Sequence, residues 1–393
     1  MTVKLLLYSH DWFPLLGGVQ TVTRSLAIGL AQWGQDHPGQ SFEVIFVTQT
    51  PANGMDDSDL PFRVVRSPQL RELIALIRWA DLISFAGPTL FPVALALLFG
   101  KPAVLQHHGY QSVCPNGLLL YEPEHRVCPG YFMKGQYRKC VACNKKEMGM
   151  FGSVRRLLLT FPRRFLARRV TVNVGVSPHV ALRIDLPRTI SIWNGVAAPP
   201  ETQPVDISGA FDGPIGFGYL GRLVTEKGLP VLLQASRELA AQGHSFRLKI
   251  VGDGPERVSL EAMAREFGLA DRTEFVGAMP AHAIRDALRG VAVIVMPSVW
   301  EDVSPLVAME QMMDGRLLMA SNIGGLGQIV AGGGIAFPPG DAGALAAQML
   351  RVLNEPRWAA ALGRAGQQKA FAAFRVERMV AEHVDLYRSL VRE

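Results

Sequence analysis

Two carboxylates eight positions apart, Asp302 and Glu310, stand in the segment W-E-D-V-S-P-L-V-A-M-E, residues 300–310. The apolar run Val291–Met296 before this segment predicts a buried strand, and the residues after it predict a helix that carries Glu310. A loop carboxylate and a helix carboxylate can each accept hydrogen bonds from a different hydroxyl-bearing group of one ligand. This arrangement suits a sugar nucleotide, which has a ribose diol at one end and a hexose at the other.

Positive charge marks a second candidate segment, G-R-L-V-T-E-K-G, residues 221–228. It follows a predicted strand and opens a helix, and it offers the planar fork of Arg222 and the point charge of Lys227 to phosphate oxygens. A diphosphate leaving group gains negative charge as its bond to a sugar breaks, and fixed positive groups stabilise that charge. The alternative interpretation is a pair of solvated loop cations.

Glycine turns between strands and helices are further candidates for phosphate binding. Gly17 and Gly18 follow the first predicted strand, Gly221 opens the cationic segment, and Gly252 and Gly254 end another strand. Glycines let the backbone approach a ligand closely, and a helix N-terminus presents free N–H groups to an anion. A plain strand–helix turn explains each of them equally well, with a positive φ expected at the first pair.

Short apolar strands alternate with helical segments in both halves of the chain. This pattern predicts parallel sheets covered on both faces, hence an α/β chain with two doubly wound, Rossmann-like domains that face each other across a cleft. Ligands in such sheets bind at the carboxyl ends of the strands. The first helix is predicted to end at Gly34. The predicted strands are 3–9, 42–48, 62–65, 82–85, 103–106, 170–176, 190–193, 215–220, 246–251, 273–276, 291–296 and 317–320.

The polar segment 197–213, rich in Pro and Gly, predicts a linker between the two domains. The N-terminal domain is then 1–196, with a cysteine-bearing insertion at about 110–150, and the C-terminal domain is 214–373. The tail 374–393 is predicted to be a helix that can return to the N-terminal domain.

The composition is that of a globular protein, with 49% hydrophobic and 19% charged residues in a chain of 393. No secretory signal pattern is visible at the start, and the apolar run at 90–99 has about half of the ~20 residues that span a membrane. A cytoplasmic location is therefore expected. The net charge of +6 is uneven, because residues 134–169 hold eleven Lys and Arg and one acidic residue, Glu147.

All four cysteines fall in one region: Cys114, Cys128, Cys140 and Cys143. The C-x2-C spacing of the last two is typical of a zinc knuckle. Three interpretations stay open, namely a closed structural zinc site, two disulfides, or free thiols. A cytoplasmic chain favours the metal over disulfides.

A basic stretch follows, in which three Arg pairs between 155 and 169 are interleaved with apolar residues. Basic amphipathic segments can lie on anionic membranes, where lipid-linked acceptors would be found. The alternative is a solvated helix face whose apolar side packs on the N-terminal domain. Nucleic acid is excluded as a partner, because no recognised motif accompanies the charge.

Taken in order, these motifs resemble the retaining glycosyltransferases of family 4, which have the GT-B fold. The segments that carry the resemblance cover nearly the whole chain. They are Gly17-Gly18, His108-Gly109, Asn194-Gly195-Val196, the cationic segment 221–228, residues 251–255, Pro297-Ser298, Asp302 with Glu310, and residues 321–325 and 338–341.

The resemblance implies a role for each matching position. Arg222 and Lys227 would bind the donor diphosphate, Glu310 the ribose hydroxyls and Asp302 the donor sugar. His108 would lie near that sugar. Further donor contacts are implied at Ser298, Glu301, Ser304, Pro305 and Leu306.

One departure affects the choice of donor. The first acid of the family's E-x7-E motif is Asp302 here, which is one methylene shorter than Glu, and Glu301 stands one residue early. Val303-Ser304-Pro305 replaces the usual glycine-rich stretch, and Pro305 has no N–H to offer. Such shifts change how a substrate is positioned.

The implied reaction moves a sugar from a nucleotide-diphosphate sugar to a saccharide or lipid-linked acceptor, with retention of configuration and without a catalytic metal or other cofactor. Cell-envelope polysaccharide or glycolipid synthesis at the inner face of the plasma membrane is the expected setting. A nonhydrolysing sugar-nucleotide epimerase and a non-catalytic GT-B binding protein are the alternatives. A nicotinamide dehydrogenase is disfavoured, because no G-x-G-x-x-G follows the first strand.

Overall fold

The computed structural model describes residues 2–15, 17–199, 208–211 and 214–391. The chain divides into two compact units. Unit 1 comprises Met1–Pro123, Cys128–Val196 and Phe374–Glu393, and unit 2 comprises Glu124–Val127 and Ala197–Ala373. Of the predicted linker, residues 200–207 and 212–213 lie outside the described part.

Each unit is built on one parallel sheet. The first has seven strands in the order β3-β2-β1-β4-β5-β8-β9, and the second has six in the order β12-β11-β10-β13-β14-β15. The strands are β1 (Val3–Ser9), β2 (Phe42–Thr48), β3 (Arg63–Arg66), β4 (Leu82–Ala86), β5 (Ala103–His107), β6 (Leu120–Tyr121), β7 (Arg126–Val127), β8 (Val172–Gly175), β9 (Thr189–Ser191), β10 (Gly216–Leu220), β11 (Arg247–Val251), β12 (Thr273–Gly277), β13 (Val291–Met296), β14 (Leu317–Ser321) and β15 (Ile335–Phe337).

Helices cover the faces of these sheets, so the central strands β10 and β13 are buried along their whole length, and β1 is buried at every residue except Lys4. They are α1 (Gly18–Asp36), α2 (Leu70–Trp79), α3 (Phe91–Leu98), α4 (Tyr137–Ala167), α5 (Pro178–Ile184), α6 (Leu229–Ala241), α7 (Arg257–Glu266), α8 (Ile284–Ala287), α9 (Leu306–Met313), α10 (Gly324–Val330), α11 (Ala342–Asn354), α12 (Pro356–Ala373) and α13 (Val376–Val391). The predicted α/β class with two Rossmann-like parallel sheets is confirmed.

The end of the first helix was wrongly predicted. α1 continues past Gly34 to Asp36, because the glycine lets the helix pack against Ser41, whose Cβ would lie 2.8 Å from a Cβ added at Gly34. The strands β6, β7 and β15 were not predicted. A kink divides α4 at Gly149, where φ is +69°, into the segments 137–148 and 150–167.

The last helix belongs to unit 1. α13 packs against α1 and β4, and Tyr387 Oη donates a hydrogen bond to Ser84 Oγ at 2.8 Å. Gln106 Nε2 of β5 donates to the same Ser84 Oγ at 3.0 Å. Among the described residues, none of the helices combines the length and the apolar character that a bilayer-spanning segment requires.

Candidate functional site

A buried ion pair is the centre of the candidate site in unit 2. Lys227 Nζ lies 2.6 Å from Asp302 Oδ2, and the two side chains are only 15% and 7% exposed. Ser298 Oγ donates to the same carboxylate oxygen at 3.3 Å, and the ammonium lies 5.5 Å from the centre of the Trp300 ring. An ammonium has three N–H donors, so Lys227 can hold Asp302 and still bind a phosphate oxygen.

Three loops lock together to place this pair. A Cβ at Gly228, whose φ is +68°, would collide with the carbonyl oxygen of Pro297, and a Cβ at Gly252 would collide with that of Gly221. Val299 N also donates to the Glu226 carbonyl at 3.0 Å. Glycine is required at these positions because the loops that follow β10, β11 and β13 touch one another through their backbones.

Two other glycines of the motifs also lie against backbone carbonyl groups. A Cβ at Gly254 would collide with the carbonyl oxygen of Leu223, and a Cβ at Gly325 with that of Val303. Gly325 N donates to the Asp302 carbonyl at 2.7 Å. The turn interpretation therefore explains why these positions need glycine, because a side chain would collide with the neighbouring backbone. Phosphate contact at these glycines stays a prediction.

Arg222, on the same loop as Lys227, has its guanidinium in solvent. Its side chain is 74% exposed, and its nearest acid is Glu226, at 3.7 Å between Nη2 and Oε1. Its backbone is fixed, because the buried Tyr219 donates its hydroxyl to the Arg222 carbonyl at 2.8 Å. Burial first, and then the negative charge of Asp302, raise the pKa of Tyr219, so the phenol stays a neutral donor. Tyr219 was not identified as a site residue from the sequence, where it is one residue of a predicted strand.

Glu310 stands on α9, half-buried and outside the ion pair of Lys227 with Asp302. Burial is the main cause that raises the pKa of its carboxyl, and the nearby charge of Asp314 adds to it. Asp314 itself accepts from Arg285 at 3.1 Å and from the buried Arg316 at 3.0 Å. This network fixes the end of α9, and nothing in the sequence pattern had pointed to it.

The segment that leads into α9 holds the remaining predicted donor contacts. Glu301 and Ser304 are buried, Pro305 precedes the helix, and Leu306 is its first residue. The hydroxyl of Ser304 is buried without a hydrogen-bond partner among the described residues. Such a group is destabilising by about 1–3 kcal/mol when it stays unpaired, which makes Ser304 a candidate for ligand contact.

Unit 1 has its own polar cavity of about 460 Å³ at the carboxyl ends of β1, β4 and β5. Its polar lining includes His10, Asp11, Gln20, His108, Gln111 and Arg163. Gly17 and Gly18 are not part of the lining; Gly17 has an extended φ of −175° and Gly18 is already helical. The positive φ expected at Gly17 is therefore wrong.

His108 lies in the wall of this cavity, and its role near the donor sugar stays a prediction. Burial, followed by the neighbouring His107 and His383, lowers the pKa of His108 to about 3. Its Nε2 is buried without a partner among the described residues. A neutral imidazole in this position can form a hydrogen bond to a substrate, and it carries no charge at neutral pH.

The basic stretch is divided between the two sides of α4. Arg163 lines the cavity, where burial, and then Arg156 and Arg155, lower the pKa of its guanidinium. Arg164 donates to the Ile184 carbonyl at 3.0 Å. These two side chains are therefore only partly exposed, and membrane contact of the stretch stays a prediction.

The four cysteines are buried and form no disulfide. Cys114 Sγ donates to Asn116 Oδ1 at 2.9 Å, and Cys143 Sγ to the Leu120 carbonyl at 3.3 Å. Within the described ranges, no three His, Cys, Asp or Glu side chains are arranged to hold a metal ion. A structural zinc stays a prediction of the sequence.

A family profile matches a part of the chain that lies in unit 2. Residues 204–369 match the profile of the family Glycosyl transferases group 1. The chain is 37% identical over 160 residues to a 2-deoxystreptamine glucosyltransferase from Streptomyces kanamyceticus, which covers 40% of each chain. It is 32% identical over 197 residues to a glycogen synthase from Mycobacterium tuberculosis, which covers 50% of this chain and 45% of that one. The matched segments thus span less than half the length of these relatives.

A solved structure matches along almost the whole chain. HepE from Anabaena in complex with UDP superposes with a TM-score of 0.69 at 16% identity, covering 98% of this chain and 100% of that one. At this identity the likeness shows the fold, and the predicted GT-B fold is confirmed.

Proposed function

We propose that this chain, whose residues 204–369 match the group 1 glycosyltransferases, transfers a sugar from a nucleotide-diphosphate sugar to an acceptor hydroxyl. The observation that carries the proposal is the Lys227–Asp302 pair, 2.6 Å apart, on loops that interlock within the matched region. The cation would bind the diphosphate and the acid would orient the sugar attached to it.

The proposed step balances as a substitution at the anomeric carbon. The bond from this carbon to the diphosphate oxygen breaks, its electron pair leaves with the diphosphate, and the acceptor oxygen bonds to the carbon on the same face. The configuration is retained because the acceptor enters on the face that the diphosphate leaves. The acceptor proton passes to the departing phosphate, so no protein base is needed. Lys227 and the exposed Arg222 would stabilise the charge that develops on the leaving group.

The choice of nucleotide is the first quantity to measure. A ligand that binds the folded state raises its apparent stability, so a thermal-shift screen of UDP-, GDP- and ADP-sugars would identify the donor. Each stabilising donor is then incubated, in its labelled form, with and without saccharide acceptors. Transfer that depends on the acceptor supports the proposal, whereas isomerisation of the donor without acceptor would identify an epimerase.

Two finer parts of the proposal have separate tests. Nuclear magnetic resonance of the product reports whether the anomeric configuration is retained. Activity that persists after treatment with a chelator would support catalysis without a metal. Inversion of configuration, or loss of activity that Mg²⁺ or Mn²⁺ restores, would refute the corresponding part.

We place the acceptor in the unit 1 cavity that contains His108, Gln111 and Arg163, because its polar lining suits a hydroxylated substrate. Synthesis of a cell-envelope polysaccharide or glycolipid is the setting we propose. A saccharide acceptor should protect Gln111 and its neighbours from hydrogen exchange, and exchange that is unchanged by every active acceptor would contradict this placement.

A structural zinc on the four buried cysteines is a further part of the proposal. It is supported by the C-x2-C spacing of Cys140 and Cys143 and by the burial of all four thiols. Metal analysis of the purified protein tests it directly. Since four cysteines form one such site, about one zinc per chain supports the proposal. Metal-free protein with four titratable thiols refutes it.

A further inference from the structure

Exposed apolar side chains are concentrated on one segment of unit 1. Among the described residues, eighteen large apolar side chains are exposed, and nine of them lie between positions 133 and 165. Phe151 is the most exposed of the eighteen, at 84%. The nine are Met133, Tyr137, Met148, Met150, Phe151, Val154, Leu158, Phe161 and Phe165. Scattered apolar side chains are normal on a surface, but a contiguous set of this size indicates an interaction site.

Five of these side chains form one stripe along the second half of α4, after the kink at Gly149. They recur every three or four residues, which places them on the same face of a helix. The opposite face packs on unit 1 through the buried Ser153, Leu157, Thr160 and Ala167. The stripe therefore points away from these buried side chains, and only the ring of Phe161 also packs on unit 1, 5.1 Å from the Phe132 ring and 5.3 Å from the Tyr137 ring between centroids. We name it the α4 stripe; it consists of Phe151, Val154, Leu158, Phe161 and Phe165.

Exposed cations lie along this stripe. Arg155 is exposed on α4 itself, and Arg168 and Arg169 are exposed at its end. The Arg169 guanidinium lies 4.7 Å from the centre of the Phe165 ring, so charge and apolar surface are adjacent. Lys145 and Lys146 add exposed charge before the kink. The arginines that point inward from the same helix, Arg163 and Arg164, are not part of this surface.

From this arrangement we propose that the α4 stripe docks the protein on the surface of an anionic lipid bilayer. The apolar side chains would enter the boundary between headgroups and acyl chains while the flanking cations remain with the anionic headgroups. Charge complementarity decides the occupant: an apolar protein partner would leave Arg155, Arg168 and Arg169 without counter-charges, whereas an anionic membrane supplies them along the whole helix.

Docking by the stripe has a consequence for the unit 1 cavity. Arg163, on the inner side of α4, lines that cavity, two positions from Phe161 of the stripe. A bilayer under α4 would therefore lie within one helix diameter, about 10 Å, of the cavity wall. This would favour an acceptor carried by a lipid, a consequence that rests on the proposed transferase function. Docking itself does not rest on it.

Vesicle sedimentation of the full chain tests the proposal. We expect the protein to bind vesicles of phosphatidylcholine that contain about 30% of the anionic lipid phosphatidylglycerol. It should bind vesicles of pure phosphatidylcholine only weakly. Binding should fall as salt is raised, because the headgroup attraction is screened. Equal binding to both vesicle types, or to neither, would overturn the proposal.

A matched pair of variants separates the stripe from general surface hydrophobicity. Phe151→Ser with Leu158→Ser should lower the vesicle partition coefficient about tenfold or more, since two exposed apolar anchors are removed. The control is Leu98→Ser with Leu182→Ser, which removes two apolar side chains, 76% and 82% exposed, from α3 and α5 of the same unit. The proposal fails if both pairs of substitutions have the same effect on binding.

A gain-of-signal variant covers the case in which the stripe substitutions disturb folding. Phe151→Trp places a fluorophore in the stripe, and brominated phosphatidylglycerol should quench its emission beyond that of the parent protein. Absence of this additional quenching would overturn the proposal. A sedimentation coefficient that shows a dimer without vesicles and a monomer for Phe151→Ser with Leu158→Ser would also overturn it, in favour of an interface between copies.

Discussion

The two units have the same architecture, yet the polar groups at the ends of their strands differ in charge and in partners. In unit 2 they are charged and paired, as Lys227 is with Asp302 at 2.6 Å. In unit 1 they include neutral buried histidines, with His107 Nε2 bonded to Asn173 Oδ1 at 2.9 Å, and the cavity-lining Arg163. Similar sheets thus present a preformed ion pair in one half and a mostly uncharged polar pocket in the other.

This difference explains why one half could be interpreted from its sequence more fully than the other. The loops of unit 2 touch through their backbones, so glycine is required at fixed positions such as Gly228 and Gly252. In unit 1 the cavity is completed by Arg163, from a helix more than fifty residues beyond His108 in the chain. Glycine spacing is visible in a sequence, whereas the direction of a distant side chain is not.

The largest effect is expected where the charge of unit 2 is most deeply paired. Lys227→Met leaves Asp302, only 7% exposed, as an uncompensated charge, so the free energy of unfolding should fall by about 3–5 kcal/mol. Urea denaturation measures this. Adding Asp302→Asn removes the buried charge and should restore most of the stability without restoring transfer. A double variant that is no more stable than Lys227→Met would contradict the paired-charge description.

Arg222→Ala should separate catalysis from stability in the same unit. Its guanidinium is in solvent, so the thermal midpoint should hardly change, while the rate of transfer should fall by about 10²-fold if the charge stabilises the leaving diphosphate. The control is Arg289→Ala, which removes a guanidinium that is 83% exposed and pairs with Asp286 in the same unit. Similar rates for the two variants would remove Arg222 from the proposed machinery.

Unit 1 should be the half that responds to acid. Burial lowers the pKa of both His107 and His383 to about 4, below the ordinary value of 6.5. Between these values the unfolded chain binds more protons than the folded one, so stability that is complete above pH 6.5 is lost as the pH falls towards 4. Each histidine contributes up to about 1.4 kcal/mol per pH unit to this slope.

Denaturation at several pH values between 4.5 and 6.5 checks the acid response. His383→Gln can keep the hydrogen bond to the Met379 carbonyl, which His383 Nδ1 makes at 2.8 Å, and it should flatten the slope of stability against pH. His282→Gln, at an exposed position of unit 2, is the control and should leave the slope unchanged. Equal slopes in all three proteins would mean that the buried histidines do not set the acid response.

The fold was predictable in more detail than the candidate site. A continuous apolar run predicted the bounds of the strand Val291–Met296, because burial on both faces leaves an unbroken apolar pattern. The strand Ile335–Phe337 was not predicted, although the equally short Thr189–Ser191 was. The role of Tyr219 depends on a side-chain contact to a backbone carbonyl, and the sequence pattern contains no signal for it.

The smallest expected effect concerns Glu310, where function and stability should oppose each other. Burial and Asp314 raise the pKa of this carboxyl above 4.5, so the folded state binds more protons than the unfolded one as the pH passes above that value. The wild-type protein thus loses stability as the pH rises through this window, and Glu310→Gln should be more stable than the wild type at neutral pH. Near pH 3, where the carboxyl is protonated in both states, the two proteins should be equally stable.

The same substitution should weaken donor binding if Glu310 holds the ribose hydroxyls, because an amide is a weaker acceptor than a carboxylate. Calorimetry with the identified nucleotide sugar measures the affinity, and denaturation at pH 3 and pH 7 measures the stability. A gain in stability together with a loss of affinity would mean that unit 2 keeps a destabilising carboxylate for its ligand. A gain in stability with unchanged affinity would instead make Glu310 a passive member of the Asp314 network, and the ion pair at Lys227 would remain as the charged part of the site.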